Sequence, residues 1–322
     1  MKYVYGPVPS RRLNFSLGVD LVPYKNCTLD CIYCQIGRTT HKSVERKSFA
    51  PIENVIKEIK KSISEVHAIN FITFSGSGEP TLNSDIGTII NEVKKMTSIP
   101  VAVLTNGTLL FREDVQKDLL KADVVLPSLD AASQRIFRSI NRPHGSLKIE
   151  AVIGGLKQFR KIYNGQIWLE IMLLRGLNNN NGELHKLKKA VSAIKPDKIH
   201  LNTSSRPPSE IFAIPLDLFE LTTIKNFLNN NCEVIADFHK KRPGRIKDVD
   251  NFIIEMTKRR PITSLDIANI LGISEANAEK ILAKLEAVRK IKETHYENKK
   301  YYSIMMEKQQ NALETINESE KN

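Results

Sequence analysis

Three of the four cysteines of the chain crowd into one short segment, Asn26-Cys27-Thr28-Leu29-Asp30-Cys31-Ile32-Tyr33-Cys34-Gln35. The spacing puts the thiolates of Cys27, Cys31 and Cys34 within one turn-like loop, close enough to share a single inorganic cube. A [4Fe–4S] cluster normally takes four cysteines. Three leave one iron without a protein ligand, and that open position admits a substrate or cofactor, as the open position of catalytic zinc does. Two other readings use the same residues. One is a zinc knuckle with His41 as fourth ligand; the other is a closed electron-transfer cluster completed by Cys232, which stands apart in an apolar stretch. Secreted scaffolds distribute their cysteines, so this clustering points to a reducing compartment.

The elements that must position such a loop follow from periodicity. Short β-type runs at 16–22, 70–75, 100–105, 123–128, 167–174, 198–202 and, more weakly, 233–238 alternate with amphipathic helical patterns at 51–66, 84–96, 146–162, 182–194 and 215–229. The first helix sets Ile52, Val55, Ile56, Ile59 and Ile63 on one face and carries Pro51 at its start, where a missing N–H costs nothing. Alternating β and α elements imply parallel strands with right-handed crossovers, closed or partly closed into a barrel. Functional residues of such a fold gather at the strand C-terminal ends. Here those ends read Ser75-Gly76-Ser77-Gly78-Glu79-Pro80, Thr105-Asn106-Gly107, Ser128-Leu129-Asp130 and Asn202-Thr203.

The 322 residues leave room for a large domain and a small one. With 41% hydrophobic and 26% charged residues the chain is ordinary for a globular protein, which excludes wholesale disorder and fibrous classes. No apolar run reaches the length of a membrane span, and the start, Met1-Lys2-Tyr3-Val4-Tyr5-Gly6-Pro7, has no apolar h-region. A cytoplasmic protein, not associated with membrane, is expected. The net charge of +12 is compatible with a nucleic-acid partner and equally with a basic proteome. The barrel pattern breaks near Lys240-Lys241-Arg242-Pro243-Gly244-Arg245, which divides the chain into 1–242, 243–305 and a polar tail at 306–322, expected to be a frayed helix or disordered. Helices at 248–258, 263–271 and 274–288, a turn at Gly272-Ile273-Ser274 and a hairpin at 291–304 around Asn298-Lys299 resemble a winged helix-turn-helix.

Cys27-x3-Cys31-x-Tyr33-Cys34, placed after a first strand, resembles the signature of the radical S-adenosylmethionine superfamily. The resemblance covers residues 10–240 and implies an α/β fold, a partial (β/α)6 TIM-type barrel. It further implies a [4Fe–4S] cluster on the three cysteines, with S-adenosylmethionine (SAM) chelating the open iron. Reductive cleavage to a 5′-deoxyadenosyl radical would follow, with the electron coming from a donor such as ferredoxin or flavodoxin. Gly76-Ser77-Gly78-Glu79-Pro80 is similar to the family's Gly-Gly-Glu-Pro element, whose backbone holds the methionine amino group; glycines let backbone approach a ligand closely. By the same resemblance Tyr33 packs near adenine, Ser128 and Asp130 lie where ribose contacts are found, Asn202 could contact adenine and Asn106 could line the methionine end. Asn106 can also be read as a turn asparagine before Gly107.

Four further residues are candidates for substrate contact. Arg11 and Arg12, before the first barrel strand, could bind a carboxylate or phosphate bidentately or form a solvated pair. Arg142 and His144, in Asn141-Arg142-Pro143-His144, lie near the expected barrel mouth. Gly78-Glu79-Pro80-Thr81 and the stretch from Asp130 to Pro143 resemble the wyosine-forming tRNA enzymes. That subgroup carries extra cysteines before the radical motif, and no cysteine precedes Cys27. RNA, including tRNA, a protein or peptide, and a small molecule all remain as substrates. The third helix of the C-terminal module offers Lys280 and Lys284 beside glutamates, and the hairpin offers Lys290, Lys292, Lys299 and Lys300 as phosphate contacts. Such modules also serve as protein-docking domains. A non-catalytic iron–sulfur sensor acting through this module is the alternative to a radical enzyme.

Overall fold

A computed structural model describes residues 2–65, 69–228, 231–235 and 248–305. The chain separates into two compact units, 1–238 and 239–322. The linker expected near 240–245 and the tail at 306–322 lie outside the described residues, as does the end of the seventh expected strand.

The first unit opens with a hairpin of β1 (Val4–Ser10) and β2 (Asn14–Val19), followed by the two-residue strands β3 (Asn26–Cys27) and β4 (His41–Lys42). Then α1 (Ile52–Glu65), β5 (Phe71–Phe74), α2 (Ile86–Met96), β6 (Val101–Thr105), α3 (Glu113–Leu119) and β7 (Val124–Pro127) alternate. The series continues through α4 (Gln134–Ile140), α5 (Ile149–Ile162), β8 (Gln166–Leu173), α6 (Asn181–Ile194), β9 (Lys198–Thr203), α7 (Leu218–Leu228) and β10 (Cys232–Val234). One sheet takes the order β1-β2-β5-β6-β7-β8-β9-β10. Every neighbouring pair is parallel except β1 with β2.

Side chains of a strand alternate between faces, and the two faces here feed two different cores. Val101, Val103 and Val125 join Val55, Ile59, Ile89, Ile90 and Val93 of the helices in the larger core. Ala102, Val124, Leu126 and Trp168 point the other way and meet Leu13, from the turn between β1 and β2. Phe71 of β5 also reaches Trp168 of β8, ring centroids 6.3 Å apart. Residues of strands so far apart in the sheet touch only if the sheet curls, so the fold is an α/β open barrel with these side chains inside its lumen. Its strands run Val-, Ile- and Leu-rich because both faces are covered.

Three elements differ from the sequence expectation. Strand β1 was not expected in a stretch holding Pro7 and Pro9, and the short helices α3 and α4 lay between expected elements. In the second unit, α8 (Val249–Thr257), α9 (Ser264–Leu271) and α10 (Glu275–Ala287) precede a hairpin of β11 (Ile291–Tyr296) and β12 (Lys299–Ile304). Thr263 and Asp266 form a capping box at the start of α9, and Gly272 ends it at φ 68°. The hairpin turn falls at Glu297 and Asn298, both at positive φ, one residue earlier than expected. Among the described residues no helix is long and apolar enough to cross a membrane.

Candidate functional site

The cysteine loop leaves the C-terminal end of β2. Cys27 sits in β3, while Cys31 and Cys34 lie in successive turns, with Cys34 N–H donating to Cys31 O at 3.1 Å. All three are free and half-buried. Each sulfur meets a nitrogen donor: Asn106 Nδ2 is 3.6 Å from Cys27 Sγ, Asn141 Nδ2 is 3.4 Å from Cys31 Sγ, and Lys25 Nζ is 3.1 Å from Cys34 Sγ. Donors aimed at sulfur stabilise thiolate and tune a cluster bound to it. Burial pushes the Cys27 thiol up to about 12, and that of Cys31 also rises well above its ordinary value. A metal that binds them therefore displaces protons.

The two alternative ligand sets fare differently from the three cysteines. Cys232 pairs in register with Ile199, near the start of β9, so it belongs to the sheet end opposite the loop. His41 is exposed in β4, its side chain facing solvent. Three soft sulfur donors on one loop, with no fourth at the same end, fit a cluster with one open position.

The glycine loop after β5 is stitched to the cysteine loop. Glu79 N–H donates to Asn26 O at 3.0 Å, and Lys25 N–H to Ser77 O at 2.8 Å. At Gly78 a Cβ would lie 2.1 Å from Asn26 O, and at Gly76, φ 150°, it would lie 2.3 Å from the Asp20 carboxyl carbon. Only glycine allows these approaches. Ser77 donates from both its N–H and Oγ to Asp20 Oδ2, at 3.0 and 2.6 Å. Glu79 is buried, and its carboxylate accepts from Thr81 N–H, Thr81 Oγ1, Thr105 Oγ1 and Asn106 N–H. Burial raises its pKa, and these donors oppose the rise. Glu79 thus fastens the end of β5 to the end of β6. Asn26, whose backbone lies against Gly78, also has a buried side-chain Oδ1 with no hydrogen-bond partner, an acceptor suited to an ammonium.

Asp130, just past β7, is a second buried hub. Its Oδ2 accepts from Tyr33 OH at 2.5 Å and Asn141 Nδ2 at 2.6 Å, while Oδ1 accepts from Met172 N–H at 2.9 Å. The side chain expected near ribose therefore ties the cysteine loop to the ends of α4 and β8. Burial raises its pKa, against the pull of Tyr33 and Asn141. Asn106, Ser128, Asp130 and Asn141 line one pocket. Asn106 Nδ2 also donates to Thr28 Oγ1 at 2.7 Å.

The remaining expected residues divide into two groups. Asn202 donates to Glu170 Oε1 at 3.0 Å, and Glu170 forms an ion pair with Arg12; Arg11 reaches Ser205 Oγ at 3.4 Å. Arg142 instead pairs with Glu210 at 2.5 Å, and His144 donates its N–H to Thr28 O and meets Ser146 Oγ through Nδ1 at 2.9 Å. The Arg142–His144 loop is packed on the cysteine loop. Lys25, Asn26, Asn141 and Glu170 were not among the expected site residues, because each becomes informative only through a long-range contact.

The family model of the radical SAM superfamily matches residues 21–187, a span holding both the cysteine loop and the ends of β5, β6 and β7. The chain belongs to the radical SAM superfamily. Its members are enzymes that use a [4Fe–4S] cluster and SAM and need a reductant. The chain is 32% identical to the UPF0026 protein MJ1312 of Methanocaldococcus jannaschii, over 94% of this chain and 96% of that one. It is 37% identical to a protein named GTPase Obg from Brachyspira hyodysenteriae, over 91% of this chain, and spans 44% of that protein's length. The fold resembles a radical SAM methyltransferase from Sphaerobacter thermophilus, TM-score 0.51 at 14% identity, over 68% of this chain and 65% of that one.

Proposed function

We propose that Cys27, Cys31 and Cys34 hold a [4Fe–4S] cluster and that SAM lies across the ends of β5, β6 and β7 for hydrogen abstraction from a substrate. When bound, the cluster and SAM supply a 5′-deoxyadenosyl radical on receipt of one electron, from a donor such as ferredoxin or flavodoxin. The observation that carries the reading is the direct backbone joining of the cysteine loop to Gly76–Glu79, at glycines that tolerate no side chain. In this role Gly76 and Gly78 bring backbone close to the methionine end, and Asn26 Oδ1 accepts from its ammonium. Asp130 does not need a free oxygen: it holds Tyr33 and Asn141 in place around the pocket that Asn106 and Ser128 line. A sensor that never turned over would have no use for this ring of polar strand ends. The test is anaerobic reconstitution, reduction and incubation with SAM. Formation of 5′-deoxyadenosine and methionine supports the reading, and intact SAM in fully clustered, reduced protein removes it.

For the substrate we propose RNA. The net charge of +12, the likeness of 130–143 to the wyosine-forming tRNA enzymes and the lysines of the β11–β12 hairpin support this reading. The second unit, read as a winged helix, would contact phosphates through Lys290, Lys292, Lys299 and Lys300. RNA affinity that does not depend on salt would remove the proposal.

A further inference from the structure

The turn between β1 and β2 carries Arg11 and Arg12, and the curl of the sheet takes it across the lumen to β8 and β9. The guanidinium of Arg12 forms an ion pair with Glu170, whose other oxygen accepts from Asn202. Glu170 lies two residues beyond Trp168 on β8, so both face the lumen. Glu170 is also bridged to Ser128, which places it level with the end of β7 and one layer beneath Met172, the residue bonded to Asp130. The Arg12 guanidinium therefore stands under the ring of strand ends described above. Its Nε is buried without a hydrogen-bond acceptor, and the Nη1 that faces Glu170, though ion-paired, makes no hydrogen bond either. That atom belongs to the guanidinium edge that receives an oxyanion side-on. Arg11 and Arg206 lie close enough that, after burial, their charges weaken the hold of Arg12 on its proton, to about 9. Beside them His200 stays neutral, its pKa depressed to about 4 by burial and by Arg12 and Lys198.

A purely structural tie would be complete with Arg12 and Glu170. The open Nε, on a guanidinium that faces Glu170 in the lumen and feels the charges of two further arginines, is suited to an incoming anion. We infer that the substrate carries an oxyanion, a phosphate or a carboxylate, and that Arg12 binds it in the lumen with Arg11 and Arg206 adding charge. The inference rests on the radical reading only for where the cofactor lies; the anion site stands on the arginines alone.

The test is titration of the full-length, cluster-loaded protein with inorganic phosphate followed by ³¹P NMR, and with ¹³C-labelled acetate. Ionic strength is held constant with chloride. Saturable binding of one of the two is expected, and the preferred anion names the substrate's group: phosphate fits a nucleotide or RNA, acetate a carboxylic acid. The double variant Arg12→Gln with Glu170→Gln, which leaves no unpaired carboxylate behind, should weaken that binding about tenfold or more. If it does not fold, Arg11→Gln at the turn gives the same reading with a smaller loss. Binding no better than chloride for both anions, or equal binding by a folded variant, overturns the inference. The titration is repeated on cluster-free protein, so failure of SAM cleavage and failure of anion binding are read separately.

Discussion

The junction of the cysteine and glycine loops is most sharply probed at Gly78. In Gly78→Ala the new Cβ would stand 2.1 Å from Asn26 O and 2.9 Å from Val22 Cγ2. The first distance is more than an ångström inside van der Waals contact, and its partner is backbone, which cannot rotate away. The two loops must separate, and two backbone hydrogen bonds then stretch: Glu79 N–H to Asn26 O and Lys25 N–H to Ser77 O. Overpacking costs about 1–3 kcal/mol and each of the two lost hydrogen bonds about 0.5–1.5 kcal/mol, so a loss of roughly 2–6 kcal/mol is expected. For a unit of this size, at about 2–4 °C per kcal/mol, that corresponds to a Tm lower by about 4–24 °C. The control is Gly154→Ala in α5, where a Cβ meets nothing within 4 Å and a gain of about 0.5–1 kcal/mol is expected. The assay is thermal unfolding of both variants, with iron and sulfide content after anaerobic reconstitution. Gly78→Ala should be destabilised and poorly loaded. A variant as stable and as fully loaded as the parent would show that the two loops are not held together in this way.

Cys27→Ala, Cys31→Ala and Cys34→Ala should each reduce iron per chain to near background, while Cys232→Ala, at the other end of the sheet, should leave iron content unchanged. His200 should give the fold a pH dependence of a defined sign. It stays neutral down to about 4 when folded, whereas the unfolded chain takes up a proton near pH 6.5. The unfolded state therefore binds more protons between these values, and stability falls as pH drops from 6.5 to 4, by about 3 kcal/mol in all from this group. Urea unfolding across that range checks it, and His200→Gln should flatten the slope. Lys299→Glu with Lys300→Glu should weaken RNA binding and make its dependence on salt shallower, as filter binding at several salt concentrations would show.

What could be read in the sequence was whatever sits locally in it. Cys27, Cys31 and Cys34 lie on one loop, and Gly76 and Gly78 follow a strand at once, so spacing alone placed them together with the parallel strands that carry them. Strand β1 was hidden because Gly6, Pro7 and Pro9 weaken strand character. As the outermost strand of the sheet it tolerates proline, and its pairing with β2 overrides local preference. Helices α3 and α4, of seven residues each, are too short to set up a periodic pattern. The Asp130 hub joins Tyr33, 97 residues away, to Met172, 42 residues away, and no local pattern announces either partner. The same holds for Arg12: its sequence allows an anion site or a solvated pair, and only the curl of the sheet sets it against Glu170.

Spectroscopy of the iron itself tests the central claim most directly. Mössbauer and EPR spectra of anaerobically reconstituted, reduced protein are compared with and without SAM. The account predicts a [4Fe–4S] centre in which one iron differs from the other three and changes its signal when SAM is added. A centre whose four irons all carry protein ligands and ignore SAM, or a protein that takes up only zinc, would contradict it.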